Sequence, residues 1–170
     1  MPRQNEATFL RGVLQNNEAA ASFCEMLFRI SQTLDDLVDK DKPVTDAVLI
    51  RTFWEALIEL PANPFYRQHE PYLRPLMASA LQDWRDSACL ERSDSHHYKT
   101  LAFVLRDQLT AVVTQCAYLI GGYEWMNKVS LSIRDHFHED GLDDYLSSLD
   151  PTQDKAYQQD VNESLGGGGT

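Results

Sequence analysis

The sequence predicts an all-α protein: a single-domain bundle of about six helices over residues 1–149, followed by a polar, low-complexity C-terminal tail over 150–170. Two observations carry this. Apolar residues recur at spacings of three and four through every long segment. No window alternates apolar and polar residues at every second position between turn signals, so strands are not expected.

A short helix is expected over about 6 to 15, and a longer one over about 18 to 39 with Asn17 or Asn16 as its N-cap. The stripe of the second, Phe23, Met26, Leu27, Ile30, Leu34, Leu37 and Val38, is expected to face the core. Pro43 closes that segment, and Thr45 or Asp46 can cap the next. There Leu49, Phe53, Ala56, Leu57 and Leu60 form one stripe, and Ile50, Trp54 and Ile58 form a second beside it. Apolar contacts over so wide an arc predict the central helix of the bundle.

Pro61 and Pro64 predict a turn through PANPFY, because proline cannot donate in a helix interior and disfavours helix at the residue before it. Leu73, Leu76, Met77, Ala80, Leu81, Trp84 and Ala88 give the next helix, with Pro71 or Pro75 in its opening turn. After a loop around ERSDSHH, Ser93 or Asp94 can cap the longest helix, with the stripe Leu105, Leu109, Val112, Val113, Cys116 and Ile120. Gly121-Gly122 then marks a sharp turn or a kink. Met126, Val129, Ile133 and Phe137 form one more helix, with Gly141 as its stop, and LDDYLSSL adds a final turn or two. The tail from Asp150 is too polar to order itself, so it is expected to be flexible or held by a partner.

The 170 residues suit one ordinary domain, and 43% hydrophobic content suffices to close a core. Lysine and arginine number 15 against 26 acidic residues, a net charge of -11. Such a polyanion is repelled by nucleic-acid backbones and anionic membranes, so neither is expected as a direct partner. The N-terminus MPRQNEATFL holds no signal-length apolar run, and Cys24, Cys89 and Cys116 sit singly in apolar stripes. A cytoplasmic location, or assembly in the cytoplasm, is expected, with three buried free thiols.

The stretch SQTLDDLVDKDKP packs four aspartates and two lysines into thirteen residues. Its LDDLVDKDKP portion resembles the first aspartate-rich motif of class I isoprenoid synthases, an all-α family in which DDxxD binds magnesium and a substrate diphosphate. The resemblance covers about ten of the 170 residues and implies Asp35, Asp36 and Asp39 as Mg²⁺ ligands. No second acidic motif accompanies it; Asp107 stands isolated, and no arginine pair follows the cluster. With Leu34 at zero on a helical wheel, Asp35, Asp39 and Asp36 fall at about 100°, 140° and 200°, beside or opposite the apolar stripe. A solvated helix end, with Asp36 and Lys40 paired one turn apart, explains most of the cluster.

The segment RDHFHEDGLDD gathers Asp135, His136, His138, Glu139, Asp140, Asp143 and Asp144 at spacings that fit neither a zinc-protease helix nor a calcium-binding loop. His96-His97 follows a capping cluster and is expected at the surface, and no serine, threonine or cysteine lies in a nucleophile motif. Trp125, Trp54 and Tyr123 are the candidate interface residues, with Trp125 foremost.

These readings predict a non-enzymatic protein that binds other subunits, as a homo-oligomer or within a multi-subunit assembly such as a virus particle, and that needs no cofactor. The second reading is a small Mg²⁺-dependent enzyme acting on a diphosphate or nucleotide through Asp35, Asp36 and Asp39. A third is an acidic inhibitor occupying the surface of a nucleic-acid-binding protein.

Overall fold

The computed structural model describes residues 5–40, 42–138 and 140–149, so the expected tail lies outside the described residues. The elements are α1 Glu6–Val13, α2 Glu18–Asp39, α3 Asp46–Trp54, a π-helical turn Glu55–Glu59, α4 Leu60–Ala62, α5 Pro64–Leu90, α6 His96–Leu105, α7 Gln108–Phe137 and α8 Leu142–Ser148. No strand occurs among the described residues, which establishes the all-α class. No helix among them is long and apolar enough to cross a membrane.

The described residues divide into two compact units, one within 5–74 and 113–130, the other within 75–112 and 131–149. In the first, Leu10, Leu14, Phe23, Cys24, Leu73, Val113 and Cys116 are buried. Phe23 stacks on Tyr66 at 5.8 Å between ring centres and meets Phe65 at 6.2 Å. The three cysteines are buried free thiols. A hydrogen bond with Cys116, followed by burial, pushes the Cys24 thiol well above its ordinary range. In the second unit, Ala88, Cys89, Ala102, Val112, Ile133 and Tyr145 are buried.

Two caps fall on expected residues. Asn17 Oδ1 accepts from Ala20 N at 3.0 Å, and Thr45 Oγ1 accepts from Val48 N at 3.3 Å, each satisfying a backbone donor that the helix leaves open. The cap of α6 is Ser95 rather than Ser93 or Asp94.

The number and bounds of the helices differ from the expected six, for local reasons. The expected helix from about 93 to 120 breaks at Arg106 and Asp107, whose side chains turn aside to Glu91 and Arg134. Nothing in LAFVLRDQLTAVV marks that break. The turn through PANPFY shrinks to Asn63, extended at φ -59° and ψ 128° as expected before Pro64. Pro61 stays helical, and the π turn just before it widens the backbone where a proline ring would otherwise strike the preceding turn. α5 therefore starts at Pro64 and kinks at His69, two residues before Pro71.

Gly121-Gly122 makes a kink within α7 rather than a sharp turn. Gly122 sits at φ 78° and ψ -175°, a region essentially closed to other residues. A Cβ at Gly121 would lie 2.6 Å from the Trp125 indole, so glycine is what lets that ring fold back on its own helix. Gly141 is not the stop of α7, which ends at Phe137; it opens α8, its N–H donating to Asp144 Oδ2 at 3.4 Å.

The stripe of α2 faces the core only in its first half. Phe23, Met26 and Leu27 are buried, Ile30, Leu34 and Val38 half-buried, and Leu37 exposed. Beyond Arg29 this helix meets α3 through polar side chains.

Candidate functional site

The expected central helix is the least covered one, and its polarity is reversed. On α3 and the π turn the residues turned outward are Ile50 (70% exposed), Phe53 (60%), Trp54 (54%), Leu57 (67%) and Ile58 (49%). These positions recur at three- and four-residue spacing, so they line a single helical face. The residue turned inward is Glu55, only 4% exposed. Isolated exposed hydrophobics are ordinary, whereas a contiguous patch of this kind is characteristic of an interaction surface.

The reversal has a chemical cause in α2. Arg29 Nε and Nη2 both donate to Glu55 Oε1, at 3.0 and 2.7 Å. This charge-assisted pairing offsets the cost of taking the carboxylate out of water. Arg51 stands 3.8 Å from Glu55 and pairs with Glu59 through both Nη1 and Nη2, each at 3.1 Å. That hydrogen bond to Glu59 raises the Arg51 guanidinium above its ordinary value. Thr52 and Thr33 bring their hydroxyls to 3.1 Å, each also reaching a carbonyl of its own helix. α2 thus presents an arginine and a threonine, and α3 answers with its polar side.

Beside this seam lies an open cleft of about 430 Å³, lined among others by Met26, Arg29, Arg51, Glu55, Glu59 and Asn63. Its two guanidiniums and two carboxylates balance each other in charge. Asn63 is fixed there, donating to Ala19 O at 2.9 Å and accepting from Tyr66 N at 3.0 Å.

The residues singled out in the sequence are placed as follows. Trp54 lies on the outward face of α3. Tyr123 is exposed just beyond the Gly122 kink. Trp125 is half-buried; its indole N–H donates to Val13 O at 2.8 Å, which ties α7 to the end of α1, and Lys128 lies over its ring at 5.8 Å. Asp35, Asp36 and Asp39 are half-buried along the last two turns of α2. Asp36 accepts from Gln32 Nε2 at 2.9 Å, in place of the expected pair with Lys40. Among the described residues, no three His, Cys, Asp or Glu side chains are grouped so as to hold a metal ion. His96 and His97 are exposed in the first turn of α6.

The second unit contains a polar cluster that no motif announces. Glu91 is buried and its Oε2 accepts from Arg106 Nη2 at 2.6 Å and from the Tyr145 hydroxyl at 2.7 Å. Arg106 Nε also donates to Ser87 Oγ at 3.2 Å, and Ser87 donates to Ala102 O at 3.0 Å. The network joins α5, α6 and α8 and so holds α8 in place. Nearby in sequence, Asp107 pairs with Arg134, and its Oδ1 lies 2.8 Å from His138 Nε2, so the aspartate isolated in the sequence is enclosed by the end of α7.

Burial, then the bond to Glu91, raises the Tyr145 hydroxyl well above its ordinary value. The folded chain thus holds this proton more tightly than the unfolded chain, whose tyrosines ionise near pH 10. The stability this confers is complete below about pH 10 and is lost as pH rises beyond it. Tyr66, raised by burial, adds to the same trend. In denaturant titrations at about pH 9, 10 and 11, Tyr145→Phe is expected to lose less stability with rising pH than the parent; equal slopes would refute this role for Tyr145.

The outward face was only partly legible in the sequence. Its apolar residues are conspicuous, but their burial in a core was the natural expectation. The one trace of the reversal is the row Arg51, Glu55 and Glu59, which recurs every four residues on the opposite side. Compared with protein families, curated proteins and solved structures, the chain matches none.

Proposed function

We propose that this chain is a non-enzymatic interaction protein, a structural or assembly component of a larger protein complex, and that it docks through the outward face of α3 and the π turn. The observation that carries the reading is the set of five large apolar side chains, all about half exposed or more, on a helical segment that buries the carboxylate of Glu55 instead. A fold that needed only solubility would place Glu55 outside and Leu57 inside; keeping the reverse requires the Arg29 bond and leaves an apolar surface in water. Interfaces of this kind centre on aromatic anchors, the position Phe53 and Trp54 hold here.

The test compares the native chain with Ile50→Asp/Leu57→Asp by size-exclusion chromatography of cleared extract from cells producing each. Both residues are exposed, so the substitutions leave the fold intact, as circular dichroism checks. The native chain is expected to elute in a species larger than a monomer, and the variant as a monomer. Elution of both as monomers would overturn the proposal.

A further inference from the structure

Resting on that reading, we infer that the occupant of the outward α3 face is a second copy of this chain, with the two helices packed antiparallel about a two-fold axis.

The first argument is self-complementarity. A two-fold contact presents the same patch from both sides, so a stripe suited to it must map onto itself when reversed. Ile50, Phe53, Trp54 and Leu57 do so about the midpoint between Phe53 and Trp54. Ile50 of one copy then meets Leu57 of the other, while the two aromatic pairs stack across the axis. Antiparallel packing also opposes the two helix dipoles, the favourable sense.

The second argument is area. A fully covered aromatic side chain buries about 150–250 Å², and with the exposures observed the five outward side chains offer on the order of 600 Å². A stable pairwise interface takes about 800 Å² from each partner, so the face supplies most of one such half-interface as apolar core, leaving the rest to its rim.

Charge selects between occupants. The chain as a whole is strongly acidic, and a basic partner would be recognised by carboxylates at the contact. The outward stripe carries none: Glu55 is turned to α2 and bonded to Arg29, and Glu59 is paired with Arg51 two turns earlier on its own segment. What the face selects is another apolar helix. Two copies carrying this net charge repel at long range, so salt should tighten their contact by screening, whereas it would weaken a contact with a basic protein.

The experiment is light scattering and sedimentation of the purified full chain over a concentration series at low and high salt. The expected result is a dimer that tightens with added salt. Leu57→Asp is expected to raise its dissociation constant by roughly 30-fold or more, the effect of removing a central anchor. Register is tested separately: a mixture of Ile50→Cys and Leu57→Cys chains, oxidised together, is expected to yield mixed disulfide dimers in excess over either variant alone. A purified chain that stays monomeric at every concentration and salt overturns the inference, while a larger species in cell extract that Ile50→Asp/Leu57→Asp abolishes would leave the interaction reading standing with a different partner. A dimer that salt dissolves, or that survives Leu57→Asp, overturns it too, since the contact then lies elsewhere.

Discussion

Arg106→Leu is expected to destabilise the second unit by on the order of 3 kcal/mol, because it leaves the buried Glu91 carboxylate with the Tyr145 hydroxyl as its remaining donor in the network. The loss comes less from a missing attraction than from an uncompensated charge in a site that excludes water. In a chain of this size, that corresponds to a fall in melting temperature of about 10 °C. The mechanism makes a further demand. If the cost is the stranded carboxylate, then adding Glu91→Leu and Tyr145→Phe, which removes every charged and hydroxyl member of the network except Ser87, restores most of the lost stability. A triple variant as unstable as Arg106→Leu alone would mean that the arginine acts through packing, for instance its stacking over the Tyr145 ring at 5.3 Å.

Phe23→Ala is expected to cost about 3–5 kcal/mol in the first unit, through the buried apolar surface it removes and the cavity it leaves. Phe23 has no exposed surface and sits between Phe65 and Tyr66, so α2 and the start of α5 both lose their contact there. Phe23→Leu keeps most of the volume and should cost markedly less. Chemical denaturation of both variants checks the ordering; an alanine variant within 1 kcal/mol of the parent would show that the site collapses to fill the void. Leu57→Ala, which truncates an exposed side chain on the π turn, is expected to leave monomer stability within about 0.5 kcal/mol. The contrast between Phe23 and Leu57 separates a residue that holds the fold from one held out for a partner.

Those two residues also show where the sequence was informative. Both belong to regular apolar stripes, and periodicity treats them alike, because a stripe specifies a face and not what will cover it. For Phe23 the face met Phe65 and Tyr66, and the expected burial followed. For Leu57 the opposite face was claimed instead by Arg29, which lies 26 residues before Glu55 in the chain. The same limit explains the break at Arg106 and Asp107: their partners Glu91 and Arg134 are distant in sequence, and local propensity alone would have continued the helix.

What the sequence determined by itself is whatever depends on neighbours along the chain. The absence of two-residue alternation settled the all-α class, Asn17 and Thr45 set the starts of their helices, and the residue before Pro64 set the joint at Asn63. Only the tertiary structure decided that the π turn after α3 buries Glu55 rather than its apolar side, whether Gly122 turns or kinks, and that Trp125 is engaged with Val13. Each of these depends on a group brought from elsewhere in the chain, or on how far a backbone freed by glycine is steered by its surroundings. The candidate docking face belongs to this second group: its apolar residues are written in the sequence, and their exposure follows from an ion pair with Arg29 of α2 that buries the Glu55 carboxylate.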